Sequence, residues 1–389
     1  MRTPACSNKP DVGRRRITAG LTAAVIGIFT LLPFLGYSPN RVAEGVPVYI
    51  WEIHPALLLL PVGLAVLTLL SARPGLSWLE LYVPALISAA ALLVLSLSSG
   101  HIPPAEAATA RMGGSWGLWG WILTGYIYGS SLKRSSSSLI MVLGVALFFL
   151  LSGALDVFGP VREFAVKEER FFSEVRAHLS LAGSATLIAA LVAVPAGIAA
   201  HRLPAFSRPA FAGANIIQTL PSLALFGLMI APLSWLSMRF PLLREMGIKG
   251  VGNFPALIAL SGYAALPILR NTYTGLKVIP AGAVQAGRGM GMSPLRLLSL
   301  VELPLALPVL LGGLRIAFVQ AIGNTTVAAL IGAGGLGYFV FQGLGQAAPD
   351  LILLGVVPLI AITVGADKGL KLLEYLLTPK PFRRENDTL

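Results

Sequence analysis

Residues 284–308 read VQAGRGMGMSPLRLLSLVELPLALP and lie between two long apolar runs of the chain. The middle of this stretch replaces apolar residues with glycine, arginine and methionine. Ser293 followed by Pro294 has the form of a helix start, because serine is a favoured N-cap and proline fits the first helical position. Gly289 and Gly291 permit a sharp turn just before that start. The stretch therefore predicts two short helices that are joined by a glycine hinge.

The second of these short helices has a pattern of its own. Leu295, Leu298 and Val301 recur at helical spacing, which predicts one apolar face. Pro304 is expected to end the helix, because proline lacks the backbone N–H that a helix interior needs. The pattern leaves two interpretations open. The stretch is either a connector that merely joins two membrane spans or a segment that leaves the membrane to meet a partner.

The composition indicates an integral membrane protein. Of the 389 residues, 55% are hydrophobic and 12% are charged, whereas soluble domains carry about 25% charged residues. The net charge is +12, but the basic residues fall between apolar runs instead of forming one basic domain. This distribution is typical of positive-inside topology and argues against nucleic acid as a partner. Cys6 is the single cysteine, which excludes an intrachain disulfide.

Ten apolar stretches are candidates for transmembrane helices, which need about 20 residues each. They predict an all-α integral membrane protein, with five spans in an N-terminal region and five in a second region. The fourth stretch, SWGLWGWILTGYIYGSS, is short and rich in Gly and Trp. The predicted spans are 17–36, 55–71, 77–97, 116–130, 137–158, 178–200, 210–234, 254–276, 305–329 and 351–376.

Charge counting predicts the orientation of these spans. With the N-terminus inside the cell, most of the 29 Lys and Arg residues fall in cytoplasmic segments, as the positive-inside rule requires. Both termini are then cytoplasmic. The predicted organisation is a basic cytoplasmic N-terminus (1–16), a five-span region (17–159), a charged outer loop with the character of an interfacial helix (160–177), a second five-span domain (178–378) with the polar loop at 281–304, and a cytoplasmic tail (379–389).

The motifs contain no catalytic or metal-binding site. The chain has no Gly-Lys dipeptide and so no Walker A phosphate loop. Residues 113–117 fit the pattern Gly-x-Ser-x-Gly, but a loop is expected before them, whereas a nucleophile elbow needs a strand there. The predicted spans are also poor in the paired carboxylates of an intramembrane enzyme. The four histidines lie at or near predicted span ends, where an amphipathic ring is stable: His54, His101, His178 and His201.

The polar loop resembles a known motif. Permease subunits of bacterial ABC importers carry the pattern Glu-Ala-Ala, three residues, Gly, nine residues, Ile, any residue, Leu, Pro. This chain has QAG at 285–287, three residues, Gly291, nine residues and then VELP at 301–304. The spacing matches throughout. The departures are Gln for Glu, Gly for the second Ala, and Val for Ile.

Other stretches resemble permease subunits of osmoprotectant uptake systems, which carry glycine betaine, choline and related quaternary amines. These stretches are IIQTLPSLALFGLMI (216–230), LPILRNTYTGL (266–276) and GNTTVAALIGAGGLGYFVFQGL (323–344). The resemblance covers residues 178–378 and implies a five-helix type I ABC importer permease domain. The five spans before it look like the N-terminal extension of a longer branch of this family.

The resemblance implies a mechanism and a set of partners. Two cytoplasmic ABC ATPase subunits bind ATP and Mg, and the polar loop of each permease passes their closure to the spans; this chain itself carries no cofactor. A second permease subunit, self or paralogue, completes the pathway, and a periplasmic or lipid-tethered binding protein delivers substrate. The chain is then a multi-pass protein of the bacterial inner membrane, surrounded by lipid, and not an enzyme.

The polar loop supplies the first set of candidate residues. Gln285 lacks the charge of Glu, and Gly287 costs about 1 kcal/mol of helix propensity relative to Ala. We therefore expect the coupling of this protein either to be softer here or to meet an ATPase that has changed in step. The residues that the resemblance implies in ATPase coupling are Gln285, Ala286, Gly287, Arg288, Gly291, Ser293, Pro294, Leu298, Leu303 and Pro304.

Polar residues within the second five spans supply the other set. Any one of them is also explained by hydrogen bonds between helices. Arg315 is the most costly to place in lipid, and we expect its guanidinium to be bound to backbone carbonyls, with substrate contact as the alternative. The substrate pathway candidates are Gln218, Thr219, Pro221, Ser222, Tyr263, Asn271, Tyr273, Arg315, Asn324, Thr325 and Thr326.

Three other functions compete with osmoprotectant import. A permease for methionine or a sulfonate would share the polar loop. An ion-coupled secondary transporter would need intramembrane carboxylates of its own, and the spans are poor in them. A membrane scaffold or sensor would place the function in the first five spans.

Overall fold

The computed structural model describes residues 12–41, 43–132 and 135–378. The predicted basic start up to residue 11, the Lys133-Arg134 pair and the predicted tail 379–389 lie outside the described residues. Internal contacts divide the chain into two units. The first unit runs up to Val166 and includes Gln346–Asp350, and the second comprises Lys167–Gly345 and the chain from Leu351 onward.

The first unit is built from short helices and a small sheet. Short 3₁₀ segments connect several of its helices, for example at Pro74–Leu81. The helices are α1 (Val12–Thr30), α2 (Ile50–Ile53), α3 (Leu59–Ser71), α4 (Val83–Leu97), α5 (Trp116–Ser130), α6 (Ser135–Leu151) and α7 (Gly159–Val166).

The Gly- and Trp-rich helix α5 lies at the centre of the core of this unit. Trp121 is fully buried, its ring meets that of Phe34 edge-on at 5.1 Å, and its indole N–H donates to the Ile26 carbonyl. A Cβ at Gly117 would lie 2.6 Å from the Phe34 ring, and one at Gly120 would overlap the ring of Phe29 in α1. Alternation of Gly and Trp thus lets α1 approach α5 closely.

A three-stranded antiparallel sheet is the part of the first unit that the sequence did not predict. Its strands are β1 (Leu35–Ser38), β2 (Val46–Val48) and β3 (Arg111–Gly114), in the order β2-β1-β3. β1 is central, with Leu35 opposite Val48 on one side and Gly114 on the other. β1 occupies the end of the predicted span 17–36, because α1 stops at Thr30.

Charged side chains flank this sheet. Glu163 of α7 is buried and accepts from Arg111 Nη1 at 2.7 Å, while Arg41 Nε lies 3.2 Å from the same carboxylate. Asp350, which belongs to this unit, lies 3.6 Å from Arg111 Nη1. Two cations and two carboxylates therefore compensate one another in a partly buried cluster.

The second unit contains the long helices. α12 packs against α8, α9 and α15, and its polar residues Ser261, Tyr263 and Thr272 are buried. The elements are α8 (Glu168–Arg202), α9 (Pro204–Thr219), α10 (Ser222–Arg239), α11 (Pro241–Glu245), α12 (Asn253–Lys277), α13 (Ala281–Gly289), α14 (Pro294–Leu297), a π-turn (Leu298–Glu302), α15 (Leu303–Ala328), α16 (Gly337–Gly345) and α17 (Pro349–Leu377).

The helices confirm the predicted fold class, an all-α membrane protein. Among the described residues, five helical segments are long and apolar enough to cross a membrane: Val83–His101, Glu168–Arg202, Ser222–Arg239, Pro294–Ile331 and Pro349–Leu377. Further apolar helices, which include Pro55–Ser71 and Ser137–Leu151, bring the total to about ten.

The prediction of one continuous span over 210–234 is wrong. α9 ends at Thr219 and α10 begins at Ser222, with an extended Leu220 and Pro221 between them. Proline has no N–H to donate, and it excludes the helical conformation for the residue before it. The segment is therefore two helices with a break.

The charged stretch 160–177, predicted as an outer connection with the character of an interfacial helix, is helical. α7 occupies the start of this stretch, and α8 begins at Glu168 and runs for 35 residues. Two acidic residues in the first turn of α8 favour its N-terminus through the helix dipole. Arg170 Nε lies 2.6 Å from Glu174 one turn later, which supports the helix further.

Candidate functional site

The polar loop forms a two-helix segment, α13 to the π-turn (residues 281–302), which we call the coupling element. α13 ends in a Schellman motif: the Met292 N–H donates to the Gly287 carbonyl at 3.2 Å, and the Gly291 N–H donates to Arg288 at 2.9 Å. Gly291 has φ +75°, a conformation that favours glycine. The predicted hinge is thus Gly291 alone, since Gly289 lies within α13.

The second short helix starts as predicted but does not stop as predicted. Ser293 is the N-cap residue of α14 and Pro294 follows at the first position, although the serine side chain makes no capping hydrogen bond. Pro304 does not end the helix, because it lies in the first turn of α15. The preceding π-turn widens the helix, which makes room for the proline ring and for its missing donor. The coupling element therefore continues directly into a membrane-spanning helix.

The buried face of the coupling element is not the predicted one. Leu295 is 75% exposed, whereas Leu297 is buried. Leu297 packs on α13, where a Cβ added to Gly287 would lie 2.6 Å from Leu297 Cδ1. This contact explains glycine in place of the second alanine of the motif, because the missing methyl group leaves room for the leucine.

The outward face of the coupling element combines polar and apolar groups. Gln285, Ala286 and Arg288 are exposed. Met290 is 69% exposed, and Leu295 lies beyond the turn on the exposed side of α14. Such an exposed apolar pair beside a cation is typical of a surface that a partner protein covers.

An ion pair joins the coupling element to α8. Glu302, the residue between Val and Leu in the motif, is only 4% exposed, and its carboxylate accepts from Arg202 at the end of α8. Arg202 is about one-third exposed. A buried carboxylate requires such a partner, since an unpaired buried charge costs several kcal/mol. Sequence reasoning missed this pair because its two members lie 100 residues apart.

The break between α9 and α10 gathers several of the predicted pathway residues. Gln218 donates to the Tyr263 carbonyl at 2.8 Å, and the Tyr263 hydroxyl donates to the Leu220 carbonyl at 2.7 Å. The Leu220 carbonyl lies in the break, whereas the Tyr263 carbonyl of α12 lacks a helical donor because Pro267 lies four residues on; both groups are satisfied by these bonds. Thr219 bonds to its own helix, and Pro221 and Ser222 begin α10.

The other candidates on α12 lie nearer its C-terminal end. Asn271 donates to the Pro267 carbonyl at 2.8 Å and packs against Gly313 of α15. Tyr273 is surrounded by Phe211 and His201, with ring centroids 5.4 Å and 6.1 Å away. These two residues are separated from Tyr263 by about 12–15 Å along the helix, at about 1.5 Å per residue, so they form a distinct group.

Arg315 was predicted to bind backbone carbonyls, but the structure pairs it with carboxylates. Its Nη1 lies 3.0 Å from Asp367 Oδ1, and its Nε lies 3.6 Å from Glu374 Oε2. Both carboxylates belong to α17. The carboxylates compensate the charge of Arg315 and bind α15 to α17, which is a structural role for the arginine.

The polar cluster of α15 adjoins a glycine-rich loop, residues 332–337. Thr325 is buried and bonds to its own helix, Thr326 has a buried hydroxyl, and Asn324 is half-buried. A Cβ on Gly337 would overlap the Thr326 carbonyl oxygen. This close approach fixes the loop against α15.

Two buried side chains of α8 hold this glycine-rich loop. The Gly335 N–H donates to Glu174 Oε2 at 2.6 Å, and the Leu336 N–H donates to His178 Nδ1 at 3.2 Å. Because Nδ1 accepts, the proton of the neutral ring is on Nε2, which donates to the Ile322 carbonyl at 3.0 Å. His178 is therefore not an interfacial ring, as its position in the sequence suggested, but a fully buried link between α8, α15 and the loop.

Arg170 completes this network. Its Nε pairs with Glu174, and its guanidinium carbon lies 4.4 Å from the centre of the Tyr338 ring. The positions of Gly332, Gly334 and Gly335, all with positive φ, could have indicated a sharp turn. Nothing in the local pattern indicates which side chains bind it.

The Gly-x-Ser-x-Gly string at 113–117 follows a strand instead of the expected loop, but it does not form a nucleophile elbow. β3 precedes it and α5 follows it, so the expected loop is a strand. Ser115 has φ −109° and ψ −168°, which is ordinary extended backbone and not the strained turn of a nucleophile elbow. The string is the N-terminal boundary of α5.

Two family models match this chain. Residues 171–380 match the binding-protein-dependent transport system inner membrane component family. Residues 14–160 match the N-terminal domain of the ABC transporter permease YehY.

Three curated relatives match the second part of the chain. The choline transport system permease protein of Bacillus subtilis is 40% identical over 53% of this chain and 88% of its own length. The carnitine transport permease protein of Listeria monocytogenes is 40% identical over 54% of this chain and 89% of its own. The osmoprotectant import permease protein of Salmonella typhimurium is 39% identical over 53% of this chain and 91% of its own. This chain belongs to the family of inner-membrane permease components of binding-protein-dependent ABC importers.

Proposed function

We propose that this chain is the membrane-spanning permease subunit of an ATP-driven importer for osmoprotectants such as choline, carnitine and glycine betaine. ATP hydrolysis takes place on a separate cytoplasmic ATPase, which holds ATP and Mg. The coupling element carries the movement of that ATPase to α15 and, through Glu302 and Arg202, to α8.

The observation that carries this proposal is the geometry of the coupling element. It presents Met290 and Leu295 outward on a turn that is capped by its own backbone. It is also continuous with α15 and paired with α8. A force applied to the exposed face therefore reaches two long helices without a flexible linker between them.

The substrate class rests on the relatives. They are permeases for choline, for carnitine and for osmoprotectants, and choline and carnitine share a quaternary ammonium group. In this proposal a binding protein outside the membrane selects the solute, and two permease subunits form the pathway. Gln218 and Tyr263, next to the α9–α10 break, line a candidate route for the substrate.

The proposed orientation places both termini and the coupling element in the cytoplasm. The distribution of basic residues supports it, since the arginines of the coupling element and the ends of α8 and α12 fall on one side. Labelling of single cysteines introduced at Arg288 and at Glu169 of a chain in which Cys6 is replaced, with a membrane-impermeant reagent, tests this orientation in intact cells.

The function is tested by uptake into proteoliposomes that contain the permease, its ATPase and its binding protein. We expect ATP-dependent accumulation of labelled choline, carnitine or glycine betaine that excess methionine does not reduce. Accumulation of methionine instead would overturn the substrate class. Accumulation that is driven by an ion gradient without ATP would overturn the mechanism.

The coupling role is tested in the same vesicles with Leu295→Asp. A charge on the exposed face is expected to abolish most substrate-stimulated ATP hydrolysis, because it must be desolvated on docking. Val166→Asp is the matched control, since Val166 is 82% exposed and lies outside the coupling element. Equal ATP hydrolysis by the two variants would contradict the coupling role.

A further inference from the structure

The first unit contains a cavity that the transport mechanism does not use. Its volume is about 380 Å³, and Arg15, Trp78, Glu80 and Tyr82 contribute to its lining. Ligand sites for small molecules begin at about 300 Å³, so the cavity is large enough for a solute of a few carbon atoms. It lies in the part of the chain that precedes the permease domain.

The cavity holds two opposite charges that only partly satisfy each other. Arg15 Nη1 lies 3.5 Å from Glu80 Oε1, which is longer than the usual length of about 2.7–2.9 Å for a charge-assisted hydrogen bond. Neither side chain is free in solvent, since Glu80 is 13% exposed and Arg15 is 29% exposed. A zwitterion that enters between them gains a partner for each of its own charges.

The cavity also presents aromatic faces. The rings of Trp78 and Tyr82 meet edge-on with centroids 6.0 Å apart, and the two residues are 61% and 41% exposed. Exposed aromatic faces beside a carboxylate attract quaternary ammonium groups, which cannot donate hydrogen bonds. Arg15 provides the complementary group, because a guanidinium binds carboxylates and phosphates.

We propose that this cavity is a second binding site for a trimethylammonium zwitterion, with the cation at Trp78, Tyr82 and Glu80 and the anion at Arg15. The choice of ligand rests on the proposed substrate class, but the site lies outside the permease domain. The same chemistry is present in a free betaine and in the phosphocholine headgroup of a lipid. We assign the site to the free betaine.

The test is equilibrium binding of labelled glycine betaine and labelled choline to the full-length permease in nanodiscs of phosphatidylglycerol. We expect saturable betaine binding that weakens about two- to fivefold in Trp78→Ala, the range for an exposed cation–π contact, and that also weakens in Glu80→Gln, which removes the carboxylate. Trp78→Phe, which retains an aromatic face, loses less. Trp116→Ala is the matched control, because Trp116 is an exposed tryptophan of the same unit.

Arg15→Gln gives the most specific result. Betaine has a carboxylate and choline has none, so this variant is expected to weaken betaine binding and to strengthen choline binding. Opposite changes for the two ligands are not expected from a damaged fold. The absence of saturable binding, binding that Trp78→Ala and Glu80→Gln leave unchanged, or parallel changes in Arg15→Gln would overturn the proposal.

Two further measurements distinguish a free solute from a lipid headgroup as the ligand, and the second site from the proposed transport function. Nanodiscs with phosphatidylcholine report the lipid: if retention of that lipid depends on Trp78 and free betaine does not bind, the assignment to a free solute is wrong. Uptake by the complete complex is measured in parallel. Normal uptake without binding to this cavity refutes the second site alone, whereas binding here without any uptake refutes the proposed function alone.

Discussion

The second unit contains two glycine turns that solve the same backbone problem in different ways. The turn of the coupling element uses Gly291, is exposed, and is closed by backbone hydrogen bonds within its own segment. The glycine-rich loop at 332–337 is mostly buried and is held by Glu174 and His178 from another helix. The first turn is autonomous, and the second depends on partners far away in the sequence.

This difference matches what each turn has to do. In the proposed function the exposed turn docks to an ATPase, so it must keep its shape before the partner arrives, and a Schellman cap provides that shape locally. A loop at the end of a membrane helix must instead satisfy its free backbone groups inside the protein, because lipid offers no hydrogen bonds. We therefore expect changes at the buried loop to reduce stability, and changes at the exposed turn to affect coupling.

The largest effect is expected for Gly337→Ala. Its Cβ would overlap the Thr326 carbonyl oxygen, and backbone cannot move as a flexible side chain does. We expect a loss of about 3 kcal/mol or more, the upper range for overpacking, measured as thermal unfolding in detergent. Gly289→Ala is the control, since open space surrounds that glycine in α13. Equal unfolding temperatures for the two variants would show that the loop is not fixed against α15.

The next largest effect is expected for Glu174→Ala. The change removes the acceptor of the Gly335 N–H and the partner of Arg170, and a buried donor left unpaired costs about 1–3 kcal/mol. Glu174→Gln keeps an oxygen acceptor and should lose less. Glu169→Ala, an exposed carboxylate on the same helix, is the control. If Glu174→Ala unfolds at the temperature of that control, the carboxylate does not hold the loop.

A smaller loss of stability and a specific loss of coupling are expected for Arg202→Ala. Breaking a fully buried ion pair costs about 3–5 kcal/mol, and the partial exposure of Arg202 lowers this to about 1–2 kcal/mol. Because Glu302 then loses its connection to α8, ATP hydrolysis should persist while substrate transport per ATP falls. Glu302→Gln, which removes the charge and retains the shape, should retain more transport than Arg202→Ala. An unchanged ratio of transport to hydrolysis in both variants would refute the connection.

The smallest effect on stability is expected for Gly291→Ala. Nothing lies within 4 Å of a Cβ at this position, so the cost is only that of a positive φ, about 1 kcal/mol. Substrate-stimulated ATP hydrolysis should nevertheless fall, because the turn sets the exposed face. A variant with full stability and full stimulation would show that the coupling element tolerates another turn geometry.

Much of the coupling element could be predicted from sequence. Ser293-Pro294 marked a helix start, and the glycines marked the turn, because these are local preferences of the backbone. The predicted apolar face was wrong, because Leu297 rather than Leu295 contacts α13. The spacing of apolar residues gives the period of a helix but not the direction in which its neighbour lies. The prediction that Pro304 ends the helix was wrong for a related reason. A π-turn accommodates the proline, and no local sequence pattern predicts that turn.

The membrane spans show the same division. Apolar length located the helices of both units, but the break at Pro221 was not predicted, because a proline inside an apolar run is compatible with a kinked helix or with two helices. The hydrogen bonds from Gln218 and Tyr263 stabilise the second arrangement. The Tyr263 hydroxyl lies on α12, outside the apolar run that contains the break.

The sequence by itself determined that the protein is a multi-span membrane permease with a coupling motif at 285–304. Apolar length and motif spacing are properties of the local sequence, so they can be recognised without the tertiary structure. Only the tertiary structure decided which charges compensate each other: Arg202 with Glu302, Arg315 with Asp367, and Glu174 with a backbone amide 161 residues away. Burial makes each of these partners necessary, and burial is a property of the folded chain.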